Sequence, residues 1–395
     1  MKVRCSYRMS YLAVFLLQIV SSALILSDWD VLGIGSVFLL TYFLIFPGFL
    51  LLRLMGIALS SRLNQVVHSV GLSLSILMFG GLFLNTLLPL IGIQRPLTQL
   101  NTILFLNICV VCIGPISYSK EKQKWWEFQL TLTDVRHMAL SIIPIVFIVQ
   151  ALAGAQTLNN GGSSSISIGL LIEIVLYCLV IALLRDRINR RALYPLALFS
   201  ISASLLLMLS MRSNHVVGFD INQELYVFQL TKRSMLWSMS NFQNAYNSCL
   251  SITILPTMLS FVSEIGDEYV FKLLYPLIFS FAPVGMYYMV NDLTNKNIAF
   301  LSVLVFIVQP SFILEIAMLA RQEIAILFLV LLLSVLFSDR LPGRKGSTLF
   351  VVYYSSLVVS LYSTTYIAMF LFLMLFVIAT IRRILKTSFS TALKI

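Results

Sequence analysis

The stretch Asn214-His-Val-Val-Gly-Phe-Asp-Ile-Asn-Gln-Glu224 follows directly on the apolar run Leu193–Met211, and the contrast between the two decides how the chain is read. A run of about twenty apolar residues, rising about 1.5 Å per residue as a helix, crosses about 30 Å of hydrocarbon. A Gly, an Asp and a Glu immediately after it mark the backbone leaving the bilayer. Working outward in both directions, runs of this kind recur about twelve times on the same length criterion. They lie near Tyr11–Leu26, Val31–Leu52, Gln65–Ile91, Leu97–Tyr118, Met138–Ala153, Ile166–Leu184, Leu193–Met211, Tyr269–Val290, Ile298–Leu314, Ile324–Phe337, Leu349–Tyr362 and Tyr366–Leu385. The fold class this predicts is all-α, a polytopic transmembrane helix bundle.

Composition agrees. Of 395 residues 59% are hydrophobic and 11% charged, whereas roughly a quarter of a soluble domain is charged. A net charge of +11 on a soluble surface would point to nucleic acid. Here the basic residues fall in short segments between apolar runs, which orients helices and meets anionic headgroups. Membrane lipids are therefore expected partners and nucleic acid is not.

The lysines and arginines occupy alternate loops: Arg53 and Arg62; Lys120, Lys122 and Lys124; Arg185, Arg187, Arg190 and Arg191; Lys296; Arg340, Arg344 and Lys345; Arg382, Arg383 and Lys386. By the positive-inside rule these loops and both termini face the cytoplasm. The stretch at Asn214–Glu224 then faces outward. Met1–Ala23 imitates a signal peptide, with Lys2, Arg4 and Arg8 ahead of an apolar run. Keeping it as an uncleaved first helix puts every later loop on the correct side.

The five cysteines give no disulfide framework. Cys109-Val-Val-Cys112 sits inside an apolar run, without the second ligand pair of a zinc site or the βαβ setting of a redox motif. Lys120–Arg136, with Trp125-Trp126 among lysines, reads as an interfacial anchor. The external segment 212–268 is too long and too apolar to be a plain loop. Glu224–Trp237 is mixed polar and apolar; Leu255, Met258, Leu259, Val262 and Ile265 recur at helical spacing, with Pro256 suited to a first turn. Two juxtamembrane helices along the outer surface are expected.

Asp220 and Glu224 are spaced i, i+4, so a helix from Asp220 puts both carboxylates on one face, about 6 Å apart at Cβ. That geometry suits a shared divalent cation (Mg or Mn), or a base with a supporting acid. It equally suits two acids favoured by a helix N-terminus. Gly218 permits the tight turn that aims Asp220. Glu315, Arg321, Gln322 and Glu323 form a second external cluster. Arg321 is suited to a phosphate, or to an ion pair with Glu315 or Glu323. Lys272 adds a second candidate cation. Glu173 is the clearest ionisable residue within a span; His215 is read as a surface residue. Neither a sequence repeat nor a matched pair of broken helices is present, which weakens a transporter reading.

The runs Gly218-Phe-Asp-Ile-Asn-Gln-Glu224, Tyr246-Asn-Ser-Cys-Leu-Ser-Ile-Thr-Ile-Leu-Pro256, Phe271-Lys-Leu-Leu-Tyr-Pro276, Leu319-Ala-Arg-Gln-Glu-Ile-Ala325 and Tyr362-Ser-Thr-Thr-Tyr366 together resemble a group of archaeal and bacterial multi-pass proteins. That group is in turn similar to membrane glycosyltransferases of the GT-C fold. The resemblance covers roughly Leu193–Tyr366. It implies N-terminal helices over 1–191 and a GT-C-like catalytic module over 192–395. It further implies a sugar moved from a polyprenyl-phosphate donor to a glycan or protein acceptor, Asp220 in the catalytic position, and Glu224 beside it. Arg321 and Lys272 would face the donor phosphate, with Gly218 and Gln322 in support. The chain departs from the group's pattern at Leu361, where a histidine is usual. It ends soon after Arg382-Arg383, where relatives continue with further helices, so an incomplete module is expected. A flippase for lipid-linked saccharides and a non-catalytic scaffold of surface-polysaccharide assembly are the alternatives.

Overall fold

A computed structural model describes residues 2–4, 7–27, 33–57, 59–120, 127–129, 135–183, 190–338, 340–341 and 343–392. The described chain is a helical bundle; its two strands, β1 (Lys2–Arg4) and β2 (Glu127–Gln129), are three residues each and pair antiparallel. Six helices come first: α1 (Tyr7–Leu26), α2 (Ile34–Leu54), α3 (Arg62–Leu90), α4 (Gln99–Lys120), α5 (Val135–Asn159) and α6 (Ser165–Leu183). They are followed by α7 (Arg190–Ser210), α8 (Asp220–Ser234), α9 (Ile254–Ser263) and a bent span made of α10 (Asp267–Tyr269), a π-helical turn at Val270–Leu274, α11 (Tyr275–Phe279) and α12 (Phe281–Leu293). The last are α13 (Lys296–Ile307), α14 (Pro310–Leu314), α15 (Ala320–Leu336), α16 (Arg344–Ser360) and α17 (Tyr362–Ala392). Trp125-Trp126, Arg185 and Arg187 lie outside the described residues.

Each expected span falls on helix among the described residues, with a break between Ile307 and Pro310, but not all are full-length. Among the described residues eight helices are long and apolar enough to cross a membrane, nine if the bent pair from Lys296–Ile307 into Pro310–Met318 is one span. The expected twelve are not reached because α15 and α16 have 17 residues each and α1 qualifies only over Phe15–Leu26. A bundle with this many apolar helices is a polytopic membrane protein.

The core is organised on α3. Ser61 starts it, its side chain accepting from the Asn64 N–H, and α3 packs against α2, α9, α12, α15 and α16. Small residues let the backbones close in, which is how helices associate without a hydrophobic driving force. A Cβ on Gly48 of α2 would lie 2.0 Å from the Ser69 carbonyl oxygen of α3. The packing of α3 on α12, α15 and α16 also runs across the boundary drawn near residue 191, so helices from both sides of it share one core.

The second juxtamembrane helix is corrected by the structure. Residues Ile254–Ser260, Val262 and Ser263 of α9 are buried, and α9 packs on α2, α3, α4 and α8. It can enter the core because its hydroxyls bond within their own turns: Thr257 Oγ1 to the Thr253 carbonyl at 2.7 Å, Ser260 Oγ to Thr257 at 3.0 Å, and Ser263 Oγ to Leu259 at 2.8 Å. Pro256 does occupy the first turn. The amphipathic α8 stays at the edge, tied through Lys232 to Asp267.

Candidate functional site

At the end of the bundle that carries α8, three separated stretches meet around Arg321. Gly218 adopts φ +130°, and a Cβ there would approach the Met318 Cβ to 2.7 Å. Glycine thus serves both the turn and the close passage of Met318. The turn starts α8 at Asp220, and one helical turn later Glu224 points inward and is fully buried. The Glu224 Oε2 accepts the Ala320 N–H at 2.8 Å, so this carboxylate caps α15, where a negative charge meets the positive end of the helix dipole.

Arg321, in the first turn of α15, lies between the two acids. Its Nη2 donates to Asp220 Oδ2 at 2.9 Å, and its Nε is 3.1 Å from Glu224 Oε1, close enough for an ion pair but misaligned for a hydrogen bond. The guanidinium lies over the Tyr246 ring, 3.9 Å from its centre, and 6.0 Å from that of Tyr362. Such stacking suits a planar cation and adds to the pairing. Arg321 is 7% exposed and Asp220 30%, which leaves Asp220 as the acid a solute can reach.

Tyr246 is held by amide stitching. Asn85 of α3 donates to the Trp237 carbonyl at 2.9 Å and accepts its N–H at 2.7 Å. Asn247 donates to the carbonyls of Ser238 and Phe242, both at 2.9 Å. These bonds fix the 3₁₀ turn Ala245–Ser248 that carries the ring. Burial raises the Tyr246 hydroxyl above its ordinary range, an effect Arg321 opposes. Burial also pushes Glu224 up to about 7, against the downward pull of Arg321 and of the Ala320 and Arg321 N–H groups.

The expected site is therefore assembled in part. Asp220, Glu224, Gly218 and Arg321 come together, with Asp220 and Glu224 on one face of α8. Arg321 pairs with these two rather than with Glu315 or Glu323; Glu315 is exposed and Glu323 is buried without a partner among the described residues. Lys272 stands apart: its Nζ donates to the Ser213 carbonyl at 2.7 Å and sits over Tyr269. Gln322 is half-buried beside Arg321. His215 lies at the surface with Nδ1 2.9 Å from Glu268 Oε1. Glu173, exposed, accepts from Gln150 at 3.2 Å.

The donor set does not fit a divalent cation as it stands. The guanidinium already bridges Asp220 and Glu224, and among the described residues no three His, Cys, Asp or Glu side chains are arranged around a common point. Sequence reasoning missed Tyr246 and Tyr362 as partners of Arg321, since an aromatic at either position reads equally well as packing. An apolar cavity of about 390 Å³ lies elsewhere, between α6, α7 and α13, lined by Ile174, Tyr194, Ile201, Phe300 and Leu304 among others.

Fold and site together define a polytopic helical membrane protein with a carboxylate–arginine–carboxylate cluster at one end of its bundle. Comparison with known proteins adds no narrower class: no family model, curated protein or solved structure matches the chain.

Proposed function

We propose that the chain is an integral membrane glycosyltransferase with a GT-C-like arrangement of about twelve membrane-associated helices. It would stand in the cell membrane with both termini cytoplasmic. A sugar would pass from a polyprenyl-phosphate donor to a glycan or protein acceptor at the outer face. The observation that carries the reading is the convergence of Asp220, Glu224 and Arg321 where α8 meets α15. In this scheme Asp220, the more exposed of the two acids, receives the proton of the acceptor hydroxyl. Arg321 orients it and places a positive charge beside the leaving phosphate. Glu224 anchors the pair to α15, and Lys272 serves the rim through Ser213.

One observation favours the flippase reading. Pro310 breaks the α13/α14 pair by 58° just ahead of α15, and broken spans line substrate paths in transporters. A single experiment separates the two. Purified protein in vesicles receives a labelled polyprenyl-phosphate sugar with candidate acceptors, and both transfer and transbilayer movement are followed. The enzyme reading expects transfer by the wild type and a loss of about 100-fold or more in Asp220→Asn, with helicity intact. Wild-type transfer by that variant, or movement of lipid without transfer, would sink it.

A further inference from the structure

Glu323 has no role in the cluster described so far. It lies in the first turn of α15, is fully buried, and neither carboxylate oxygen has a hydrogen-bond partner among the described residues. Glu224 docks on this same turn, accepting the Ala320 N–H three residues before Glu323, so two fully buried carboxylates meet one helical turn, and Glu224 Oε1 likewise has no hydrogen bond. Charge counting shows the problem. The buried Glu224 and Glu323 and the partly exposed Asp220 bring three negative charges together, and Arg321, the one basic side chain in ion-pair contact with them among the described residues, brings one positive charge.

The other titratable groups around Glu323 do not redress this. From α11 the buried Tyr275 faces both glutamates, its hydroxyl donating to the Ser251 carbonyl. Tyr246 and Cys249 approach Arg321 from the 3₁₀ turns and Tyr362 from α17. His68 of α3 meets α15 at Ser334, eleven residues further on, or about 16 Å along the helix, and Tyr353 of α16, bonded to His68, packs on Phe328 of α15 with its hydroxyl turned to α3. On α12, Tyr287, Tyr288 and Asp292 lie beyond the Gly285–Val330 contact. All are acids, neutral hydroxyls or distant groups. An unpaired carboxylate buried in apolar surroundings costs several kcal/mol, and such a group takes up a proton instead. Two adjacent carboxylates then share it.

We propose that Glu323 and Glu224 form a buried proton-binding site that holds one exchangeable proton between them, with Glu323 its principal carrier. The proton leaves one carboxylate for Arg321 through Glu224 and one through Asp220, so the state of the pair sets how firmly the guanidinium is held away from solvent. The inference rests on burial and charge and does not depend on the transfer reaction.

Infrared spectroscopy of the purified full-length chain in lipid nanodiscs, from pH 5 to 9, tests it. A protonated-carboxyl carbonyl band should persist at pH 7 and disappear in Glu323→Gln. In Glu224→Gln the band should remain but shift in frequency. Glutamine copies the protonated acid, so the Glu323→Gln protein should unfold at the wild-type temperature or above it. A band unchanged in Glu323→Gln overturns the proposal, as does its absence from the wild type at pH 7. So does displacement of the band by sodium and not by choline, which would make the occupant a metal cation. Sugar transfer measured on the same samples keeps this outcome separate from that of the enzyme reading.

Discussion

Helix α5 is as apolar as α3 and α7, and its partner α6 is more so, yet the two pairs live in different surroundings. About 28% of the α5 and α6 spans is buried within the protein, against 67% of α3 and 78% of α7. Side-chain size separates them. Along α6 the outward positions are Ile168, Ile172, Val175, Leu176 and Leu179, all exposed. The buried positions of α3 and α7 include Ser69, Gly71, Ser73, Ser75, Ala197, Ser200, Ser202 and Ser204, which allow close approach and bond their hydroxyls mostly within the helix. Hydropathy brings a helix into the bilayer, whereas small residues decide whether it faces lipid or protein. The acids follow the same division: Glu173 of α6 is exposed, while Glu224 and Glu323 are enclosed.

The sharpest way to break this comparison is to remove the charge that the enclosed region depends on. Arg321→Met leaves Asp220 and Glu224 without their shared partner, and breaking a buried pair in this way costs about 3–5 kcal/mol. Thermal unfolding in detergent should drop steeply; an unchanged midpoint would mean the cluster is solvated. Next in size is Gly218→Ala. Its φ of +130° and the Met318 contact at 2.7 Å predict a loss of about 1–3 kcal/mol, read by the same unfolding assay.

Glu224 gives a pH signature. Its carboxyl is pushed from its ordinary 4.5 up to about 7 by burial. A raised folded-state value means the folded protein holds the proton more tightly than the unfolded chain. The associated stability is present in full below about pH 4.5 and is lost as pH rises through about 7. The unfolding midpoint should therefore fall across that window in the wild type and flatten in Glu224→Gln. The smallest effect is expected in the lipid-facing region: Glu173→Gln keeps the Gln150 neighbour and should change stability by less than about 0.5 kcal/mol. A larger loss there would show that α5 and α6 carry more than packing.

The legibility of the site had a clear limit. The i, i+4 spacing of Asp220 and Glu224 was readable because helical periodicity is local. That both would meet Arg321, 101 residues from Asp220, was not, because no local rule fixes the approach of α15 to α8. For the same reason the pairing of Arg321 with Glu315 or Glu323 looked natural from their nearness in sequence, yet the first turn of α15 turns Arg321 toward α8 and Glu323 toward the core. The placement of α9 failed differently. Its apolar face was visible, but spacing alone does not show that Thr257, Ser260 and Ser263 bond to carbonyls in their own turns, which makes burial of the other face tolerable.

Sequence alone determined that this is a helical membrane protein, where its apolar helices run and where polar chemistry could lie. Those properties follow from the length and periodicity of apolar runs, which any helix in a bilayer must satisfy. Tertiary structure decided which helices face protein, which acids Arg321 serves, and that Glu323 is enclosed without a hydrogen-bond partner among the described residues. These depend on contacts between residues far apart in the chain, where packing of small side chains and the cost of burying charge select one arrangement.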